Sequence, residues 1–264
     1  MKRIAVVVHR GRNHVEEVAA RLVDRARRAG LEAVVVDGDV PEDVEAILGV
    51  GGDGTVLRAA NLALEAGLPV AGVNVGRVGY LAEIAVDELD DFVEALAADG
   101  YDVVERLTLR VAHGGRHADA VNDVVVEKAI IQRIIQIAVT IDGEFFARYR
   151  ADGMIVATPV GSTAYSLSAG GPVVDPRVEA LVLTPVAPHS LLSRSLILAP
   201  EAVVTLDVEL DRPAQINVDG REFARVDPGG RVEVRRSDRT IRFITLGRHP
   251  FPQAVRHQFG LDHA

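Results

Sequence analysis

The residues best suited to chemistry lie in one glycine-rich stretch, Gly49-Val50-Gly51-Gly52-Asp53-Gly54-Thr55. Glycines let main-chain N–H groups approach a ligand, and a helix capped by Thr55 and ended at Gly67 would add the positive end of its dipole. We therefore interpret the stretch as a phosphate-handling loop. Its carboxylate, Asp53, would repel phosphate unless a divalent metal separates the two or the acid accepts a proton. The alternative is an ordinary glycine-rich turn between a strand and a helix.

A second candidate region, residues 158–172, consists mostly of small and hydroxyl-bearing side chains around one aromatic residue. Such a composition makes a poor core but a good lining for a ligand with many hydrogen-bonding edges. A serine nucleophile is not indicated, because neither G-x-S-x-G nor S-x-x-K occurs. Asn122 and Asp123 add an amide and a carboxylate at the start of an apolar strand. The candidate side chains of the polar region are Thr163, Ala164, Tyr165, Ser166, Leu167 and Ser168.

A second glycine cluster, residues 74–81, follows the next predicted strand after the loop. It contains Asn74 and Tyr80. The glycines could place the Tyr80 ring against a flat ligand, and an equally good interpretation makes Tyr80 a core residue beside a turn.

The elements that must position these residues fall into two domains. Residues 1–100 alternate apolar strands with amphipathic helices, a pattern typical of an α/β domain with a parallel sheet, and the glycine-rich loop then follows the third strand. Residues 101–246 are rich in β-branched, alternating segments, which predicts a β-rich domain whose hairpin turns include Gly114-Gly115 and Asp142-Gly143. One strand is predicted over 117–127. The tail, 247–264, contains a short helix-like stretch from Pro252 to Phe259.

Composition excludes several classes of protein. The chain has no cysteine, and its only lysines are Lys2 and Lys128, so thiol chemistry and a G-x-x-x-x-G-K-[ST] nucleotide loop are both absent. The net charge of -9 opposes sequence-blind nucleic-acid binding. The sequence contains neither a signal peptide pattern nor the ~20 apolar residues that a membrane helix needs. We expect a cytoplasmic protein with no nucleic acid and no membrane as partner.

Taken together and in order, these motifs resemble the NAD kinase family over nearly the whole chain. The GGDGT motif at 51–55 is shared with lipid kinases and resembles phosphofructokinases, whereas the run from Thr163 to Gly171 is far more specific. The motifs that carry the resemblance are 51–55, Asn74-x-Gly-x-x-Gly-Tyr80, Asn122-Asp123, 150–153, 161–171 and 183–189.

The resemblance implies transfer of the γ-phosphoryl group of ATP, or of polyphosphate in some members, to the 2′-hydroxyl of the adenosine ribose of NAD, which forms NADP. It makes Asp53 the proton acceptor. Mg²⁺ or another divalent cation would be carried mainly by the phosphates, with Asp53 as the one candidate protein ligand. Homodimers or homotetramers are usual in the family, as are an α/β domain, a β-rich domain and a tail that returns to the first.

The resemblance also assigns residues to parts of the ligands. The phosphates would lie along the loop, the adenine near Tyr80, Asn122, Thr163 and Ser168, and a ribose hydroxyl pair near Asp123. Asp152 and Ala187 would address the nicotinamide half, and Arg133 and Arg150 would border the nucleotide. The loop residues implied are Gly51, Gly52, Gly54, Thr55 and Arg58, with Asn74 in the following motif.

Three positions depart from the family pattern. Asp123 stands where Glu is usual. Its side chain reaches one methylene less far, and a water molecule could bridge the difference. Residues 129–132 are apolar where a turn containing Pro and Ser is expected, which affects the placement of Arg133. Arg221 stands where many relatives have Gln.

Two other classes of protein remain as alternatives. One is a GGDGT-loop kinase for a lipid or sugar, which would need a long apolar cleft instead of the polar lining at 163–171. The other is a dinucleotide-binding protein that is not a kinase, with G-x-G-x-x-G as a Rossmann loop. That loop would follow the third strand instead of the first, and Asp53 would have no task.

Overall fold

The structure, a computed structural model, describes residues 1–9, 11–76, 79–130, 133–189, 192–209 and 212–261. The chain divides into two compact units, Met1–Arg106 with Thr240–Ala264, and Leu107–Arg239. The sequence prediction placed these divisions after residues 100 and 246. Both divisions fall inside long strands, Asp102–His113 and Arg231–Thr245. Arg77, Val78, Ile131 and Gln132, which belong to predicted motifs, lie outside the described residues.

The first unit is built on strands that alternate with helices. A 3₁₀ turn, Val86–Glu88, precedes its third helix. The elements are β1 Arg3–Val8, α1 Asn13–Arg28, β2 Glu32–Val36, β3 Ala46–Gly51, α2 Asp53–Ala66, β4 Val70–Asn74, β5 Ile84–Ala85, α3 Leu89–Ala97 and, in the tail, α5 Phe251–Gln258.

The strands of this unit form a parallel sheet in the order β2-β1-β3-β4, and β5 pairs with β4. The strands β1, β3 and β4 are apolar along their length because helices cover the sheet, and the core cluster joins them to α1 and α3. Gly67 ends α2 in the left-handed conformation (φ 68°), as predicted for a glycine stop. The expected α/β class is confirmed.

The second unit contains most of the β-structure and one short helix, α4, of four residues. A 3₁₀ turn, Val160–Thr163, precedes that helix. The elements are β6 Asp102–His113, β7 Arg116–Ala120, β8 Asp123–Lys128, β9 Ile135–Ile141, β10 Glu144–Ala151, β11 Gly153–Ala157, α4 Tyr165–Ser168, β12 Leu181–Val186, β13 Leu196–Leu198, β14 Val204–Glu209, β15 Ala214–Val218, β16 Arg221–Val226 and β17 Arg231–Thr245.

Two antiparallel arrangements make up this unit. One has the order β10-β9-β14-β17 and the other β13-β12-β11-β8-β15-β16. Alternate side chains of both, such as Ile137, Met154 and Leu206, enter one shared apolar core. The hairpin turns at 114–115 and 142–143 are confirmed, since both residues of each have positive φ. Among the described helices of the chain, none is long and apolar enough to cross a membrane.

The prediction of one strand over 117–127 is wrong, whereas the predicted start of a strand at Asn122 and Asp123 is confirmed by β8, which begins at Asp123. The chain forms β7 and β8 with a break at Val121 and Asn122. The backbone amides of Val121, Asn122 and Asp123 donate to the carboxylate of Asp219 instead of to a neighbouring strand. A carboxylate 96 to 98 residues further along the chain therefore ends one strand and begins the next.

Candidate functional site

The glycine-rich loop follows β3, at the carboxyl end of the parallel sheet of the first unit. The helix α2 begins at Asp53 with Gly52 as its N-cap, so the prediction that Thr55 caps it is wrong. The reason is that the Gly52 carbonyl already accepts the amides of Thr55 and Val56. The amides of Asp53 and Gly54 lie in the first turn, where the helix itself offers backbone N–H groups no acceptor. Apart from the adjoining backbone, no atom of the described residues lies within 4 Å of where a side chain on Gly52 or Gly54 would begin, which leaves space for an anion.

The Asp53 carboxylate is held by three consecutive backbone amides. Tyr80 donates to Oδ2 at 3.2 Å, and Leu81 and Ala82 donate to Oδ1 at 3.2 and 3.4 Å. A side chain at Gly79 would place its Cβ 2.0 Å from Oδ1, so this approach requires glycine. The carboxylate is partly exposed and has a fixed direction at the start of α2. It retains unused lone pairs with which it could accept a proton.

Asn74 and Tyr80 each carry a buried polar atom, Nδ2 and the phenolic oxygen, that has no hydrogen-bond partner within the described part of the chain. Buried polar groups are seldom left unpaired, which makes both atoms candidates for ligand contacts. Burial raises the pKa of Tyr80, and the charge of Asp53 adds to the effect. Arg58 is engaged by Asp37, with 2.6 Å between Nη2 and Oδ1, so a phosphate would have to compete for it.

In the second unit, Asn122 and Asp123 lie at the break before β8. Both are buried, and Asn122 Oδ1 has no hydrogen-bond partner in the described ranges. Asp219 fixes their backbones through its three amide contacts, at 2.7 to 3.1 Å. Burial, followed by the charge of Asp219, raises the pKa of Asp123 to about 7. A carboxyl group with this pKa exists in both protonation states near neutral pH.

The polar segment packs directly on these two residues. Thr158 accepts the Gly161 amide on its hydroxyl and donates that hydroxyl to the Val121 carbonyl, at 2.9 and 2.7 Å. A side chain at Gly161 would place its Cβ 2.0 Å from the Asn122 carbonyl oxygen, so glycine is required for this contact. The 3₁₀ turn that ends at Thr163 is thereby fixed against Asn122.

Within 163–168 the side chains divide between surface and interior. Thr163, Ala164 and Leu167 are partly exposed, and Tyr165 and Ser168 are exposed. Ser166 is fully buried, and its hydroxyl hydrogen-bonds to Thr184 at 2.9 Å. Its side chain therefore faces the interior, and Ser166 can serve a ligand only through the backbone.

Asp152 and Ala187 are brought together at the other end of β11. The Asp152 amide donates to the Val186 carbonyl, and the Asp152 carboxylate forms an ion pair with Lys128 at 2.7 Å. Ala187 has φ 43°, a strained value for a residue other than glycine and one that often marks functional positions. The Arg150 carbonyl accepts the amide of His189, which places Arg150 near the same turn.

Burial raises the pKa of the Tyr165 phenol, with smaller effects from charged neighbours that include Asp123 and Asp152. The Tyr165 phenol therefore lies within electrostatic range of both predicted carboxylates. Arg133 and Arg221 are exposed, in the connection after β8 and at the start of β16.

Sequence reasoning missed three charged residues of this region: Glu127, Lys128 and Asp219. Glu127 accepts the Asn217 side-chain amide at 2.6 Å. Lys128 was visible as one of only two lysines, and Asp219 as the first residue of an Asp-Gly turn.

The fold and these residues define an enzyme class. A fixed carboxylate beside open amides at a helix start is suited to phosphoryl transfer, in which positioning and charge stabilisation matter more than a covalent nucleophile. No cluster of three or more His, Asp or Glu side chains able to hold a metal ion occurs among the described residues. The single carboxylate at the loop fits Mg²⁺ that arrives on a nucleotide, because such Mg²⁺ needs one or two protein carboxylates at most.

Comparison with known proteins supports the same class. Residues 32–101 match the model of the ATP-NAD kinase N-terminal domain, and residues 121–246 match that of the ATP-NAD kinase C-terminal domain. An NAD kinase from Thermobifida fusca is 39% identical over 255 residues, which cover 93% of this chain and 78% of the relative. An NAD kinase from Mycobacterium bovis is 36% identical, with coverage of 98% and 95%.

Solved structures that resemble the chain include two kinases crystallised with a nucleotide. The crystal structure of an NAD kinase from Archaeoglobus fulgidus in complex with ATP has a TM-score of 0.79 and 27% identity, and the match covers 98% of each chain. Yeast NADH kinase complexed with NADH has a TM-score of 0.89 at 21% identity, covering 100% of this chain and 89% of that one, and shows the shared fold. The chain belongs to the NAD kinase family.

Proposed function

We propose that this protein transfers the γ-phosphoryl group of ATP to the 2′-hydroxyl of the adenosine ribose of NAD and so forms NADP. Membership of the NAD kinase family supports the reaction. The observation that carries the mechanism is the Asp53 carboxylate, fixed by three amides at the start of α2.

In the proposed reaction the 2′-oxygen forms a bond to the γ-phosphorus as the bond from that phosphorus to the β,γ-bridging oxygen breaks. Asp53 accepts the hydroxyl proton, and ADP leaves. The open amides at the start of α2 stabilise negative charge on the phosphates. Mg²⁺ carried by the phosphates of ATP would neutralise part of that charge, and Asp53 is assigned to the proton instead of to the metal.

Recognition of NAD is assigned to the second unit. The free Asn122 oxygen is suited to accept from the adenine amino group, with Thr163 and Ser168 beside the same base. Asp123 is suited to a ribose hydroxyl pair, and Asp152 with Ala187 to the nicotinamide half. The polar character of this lining argues against a lipid acceptor, which would need a long apolar cleft.

The activity is tested by incubating the protein with NAD, ATP and Mg²⁺ and measuring NADP. We expect NADP to form, and to be lost when EDTA removes the metal. NAD binding without any NADP would instead indicate a dinucleotide-binding protein that is not a kinase. Phosphorylation of a lipid or sugar, with NAD untouched, would indicate the other kinase class. Replacement of ATP by polyphosphate would establish the donor range.

We also propose that the protein is cytoplasmic and forms a homodimer or homotetramer, as is usual for the family. Light scattering coupled to gel filtration would give the mass of the assembly, and a monomer at micromolar concentration would contradict the second point.

A further inference from the structure

The three amides that hold Asp53 belong to a segment, residues 80–85, that is itself held from the other side. Tyr80, Leu81 and Ala82 donate to Asp53. Three residues further on, the Ala85 amide donates to Glu88 Oε2 at 3.0 Å. Ile84 and Ala85 pair with Val73 and Asn74 of β4. The position of the amides that hold Asp53 therefore depends on where this short segment is anchored.

The anchors come from the chain's C-terminal tail, within the same unit. His249 Nε2 lies 2.9 Å from Glu88 Oε2, the same oxygen that accepts the Ala85 amide. Arg248 lies 3.8 Å from Glu88 and 2.8 Å from Asp91. His249 and Arg248 of the tail thus contact Glu88, the residue whose carboxylate accepts the amide at the Ala85 end of the segment.

The groups that surround Glu88 favour its ionised form. Burial would raise the pKa of Glu88, but the Ala85 amide, His249 and Arg248 outweigh burial and leave the pKa below its ordinary value. Glu83, in contrast, has its pKa raised by burial against the opposing effects of Thr245, His249 and Arg106. His249 therefore contacts the Glu88 carboxylate directly, at the end of the segment that holds Asp53.

We propose that Glu88 and His249 are positioning residues for the phosphoryl transfer: they hold segment 80–85 so that its three amides orient the Asp53 carboxylate. The inference rests on the proposed role of Asp53 as proton acceptor. It assigns to the tail a task in turnover, although His249 is 196 residues from Asp53 in sequence and does not itself touch the substrates.

The test uses full-length variants and separates kcat from KM. His249→Ala removes the donor, and His249→Gln supplies an amide nitrogen near the Nε2 position. His249→Asn carries the same amide group on a side chain one methylene shorter, so that the group stops short of Glu88. Arg25→Ala is the matched control, since it breaks a 3.0 Å ion pair to Asp90 on the adjoining helix without touching segment 80–85. For each variant, kcat, the KM values for ATP and NAD, and the melting temperature are measured.

We expect His249→Ala to lower kcat about tenfold, with both KM values within about twofold, because a misdirected base affects the transition state more than substrate binding. His249→Gln should recover most of kcat and His249→Asn little. If His249→Ala fails to fold, Glu88→Gln, which keeps the volume of the side chain, should show the same loss of kcat.

The inference is overturned if folded His249→Ala and Arg25→Ala have equal kcat, or if Asn restores kcat as well as Gln does. A fall in melting temperature with unchanged kcat would show a purely structural contact and would also overturn it. A wild-type protein that forms no NADP would instead contradict the proposed function, so the two failures are distinguishable.

Discussion

Each unit of this protein contains a carboxylate that accepts three consecutive backbone amides, and the two carboxylates have different environments. Asp53 takes the amides of 80–82 at 3.2 to 3.4 Å and is partly exposed. Asp219 takes those of 121–123 at 2.7 to 3.1 Å and is 8% exposed. We infer that the same arrangement of three amides serves the proposed chemistry at Asp53, where the contacts are longer and open, and the architecture at Asp219, where they are shorter and closed.

The surroundings of the two carboxylates differ in the same way as their exposure does. Among the described residues, the space next to Gly52 and Gly54 is open and Asp53 is partly exposed. Asp219 lies in the turn between β15 and β16, with φ 50°, and its own amide donates to the Asp123 carbonyl at 3.0 Å. We infer that Asp219 acts on the ligand only through Asn122 and Asp123, whose backbones it fixes.

The largest effect is expected from Asp53→Asn. Asn cannot accept the proton, and loss of a general base typically lowers turnover by about 10²- to 10⁴-fold. NAD affinity should not change, and Mg²⁺-ATP should bind no worse, because a charge that repels phosphate is removed. Turnover and calorimetric binding check both points, with Asp24→Asn on α1 as a control that breaks only a surface ion pair.

The Asp53→Asn variant distinguishes the two candidate roles of Asp53, proton acceptor and metal ligand. Weakened Mg²⁺-ATP binding with normal NAD binding would show that Asp53 is chiefly a metal ligand. Turnover within about threefold of wild type, in a folded variant, would contradict both tasks and return the loop to an ordinary turn.

Asp219→Asn should show the opposite pattern. The new side-chain nitrogen would face amide donors in a buried position, which we expect to lower the free energy of unfolding by about 1–3 kcal/mol. The KM for NAD should rise more than kcat falls, since the backbones of Asn122 and Asp123 lose their support. Urea denaturation and steady-state kinetics measure these changes, and Asp227→Asn, at an exposed ion pair, is the control. A variant as stable as its control would show that the amide contacts contribute little.

The combination Asn122→Ala with Thr163→Val tests recognition apart from catalysis. A ligand bound only by the folded state stabilises it by about 2.7 kcal/mol at 100 times its Kd, so NAD should raise the melting temperature of the wild type. The double variant should lose this shift because the Asn122 oxygen and the Thr163 hydroxyl are gone. An unchanged shift in a folded double variant would place the NAD site elsewhere.

Local patterns in the sequence were enough to predict much of the fold. The apolar strands of the first unit, the loop after β3, the glycine stop of α2 and two hairpin turns follow from rules that operate over a few residues. The polar segment and Asn122-Asp123 were likewise found from residue type. The spatial proximity of these two regions was not predicted from the sequence, because it depends on Thr158 and Gly161 packing against residues 121–122.

One failure is local: Thr55 could not cap α2 because the Gly52 carbonyl had already supplied the first acceptor. The others share a different physical cause, which is contact between residues far apart in the sequence. The strand predicted over 117–127 was divided by Asp219, and the contact between His249 and Glu88 spans 161 residues. Such contacts leave no periodic signal in sequence. They are nevertheless the contacts that orient the candidate site.

The smallest expected effect is a pH dependence of stability that arises from Asp123. It sharpens the comparison of the two carboxylates because the charge of Asp219 contributes to the raised pKa of Asp123. The pKa of Asp123 is about 7 in the folded protein against an ordinary value of 3.8. Between these values the folded state binds a proton that the unfolded state lacks, so the contribution of Asp123 to stability falls as pH rises through this window. Asp123→Asn removes that dependence. Without nucleotide, the variant should melt a few degrees above wild type at about pH 8, and the difference should shrink towards about pH 5. Melting curves at both pH values measure it, and an offset equal at the two values, as expected for Asp227→Asn, would show that Asp123 is ionised in the folded protein throughout.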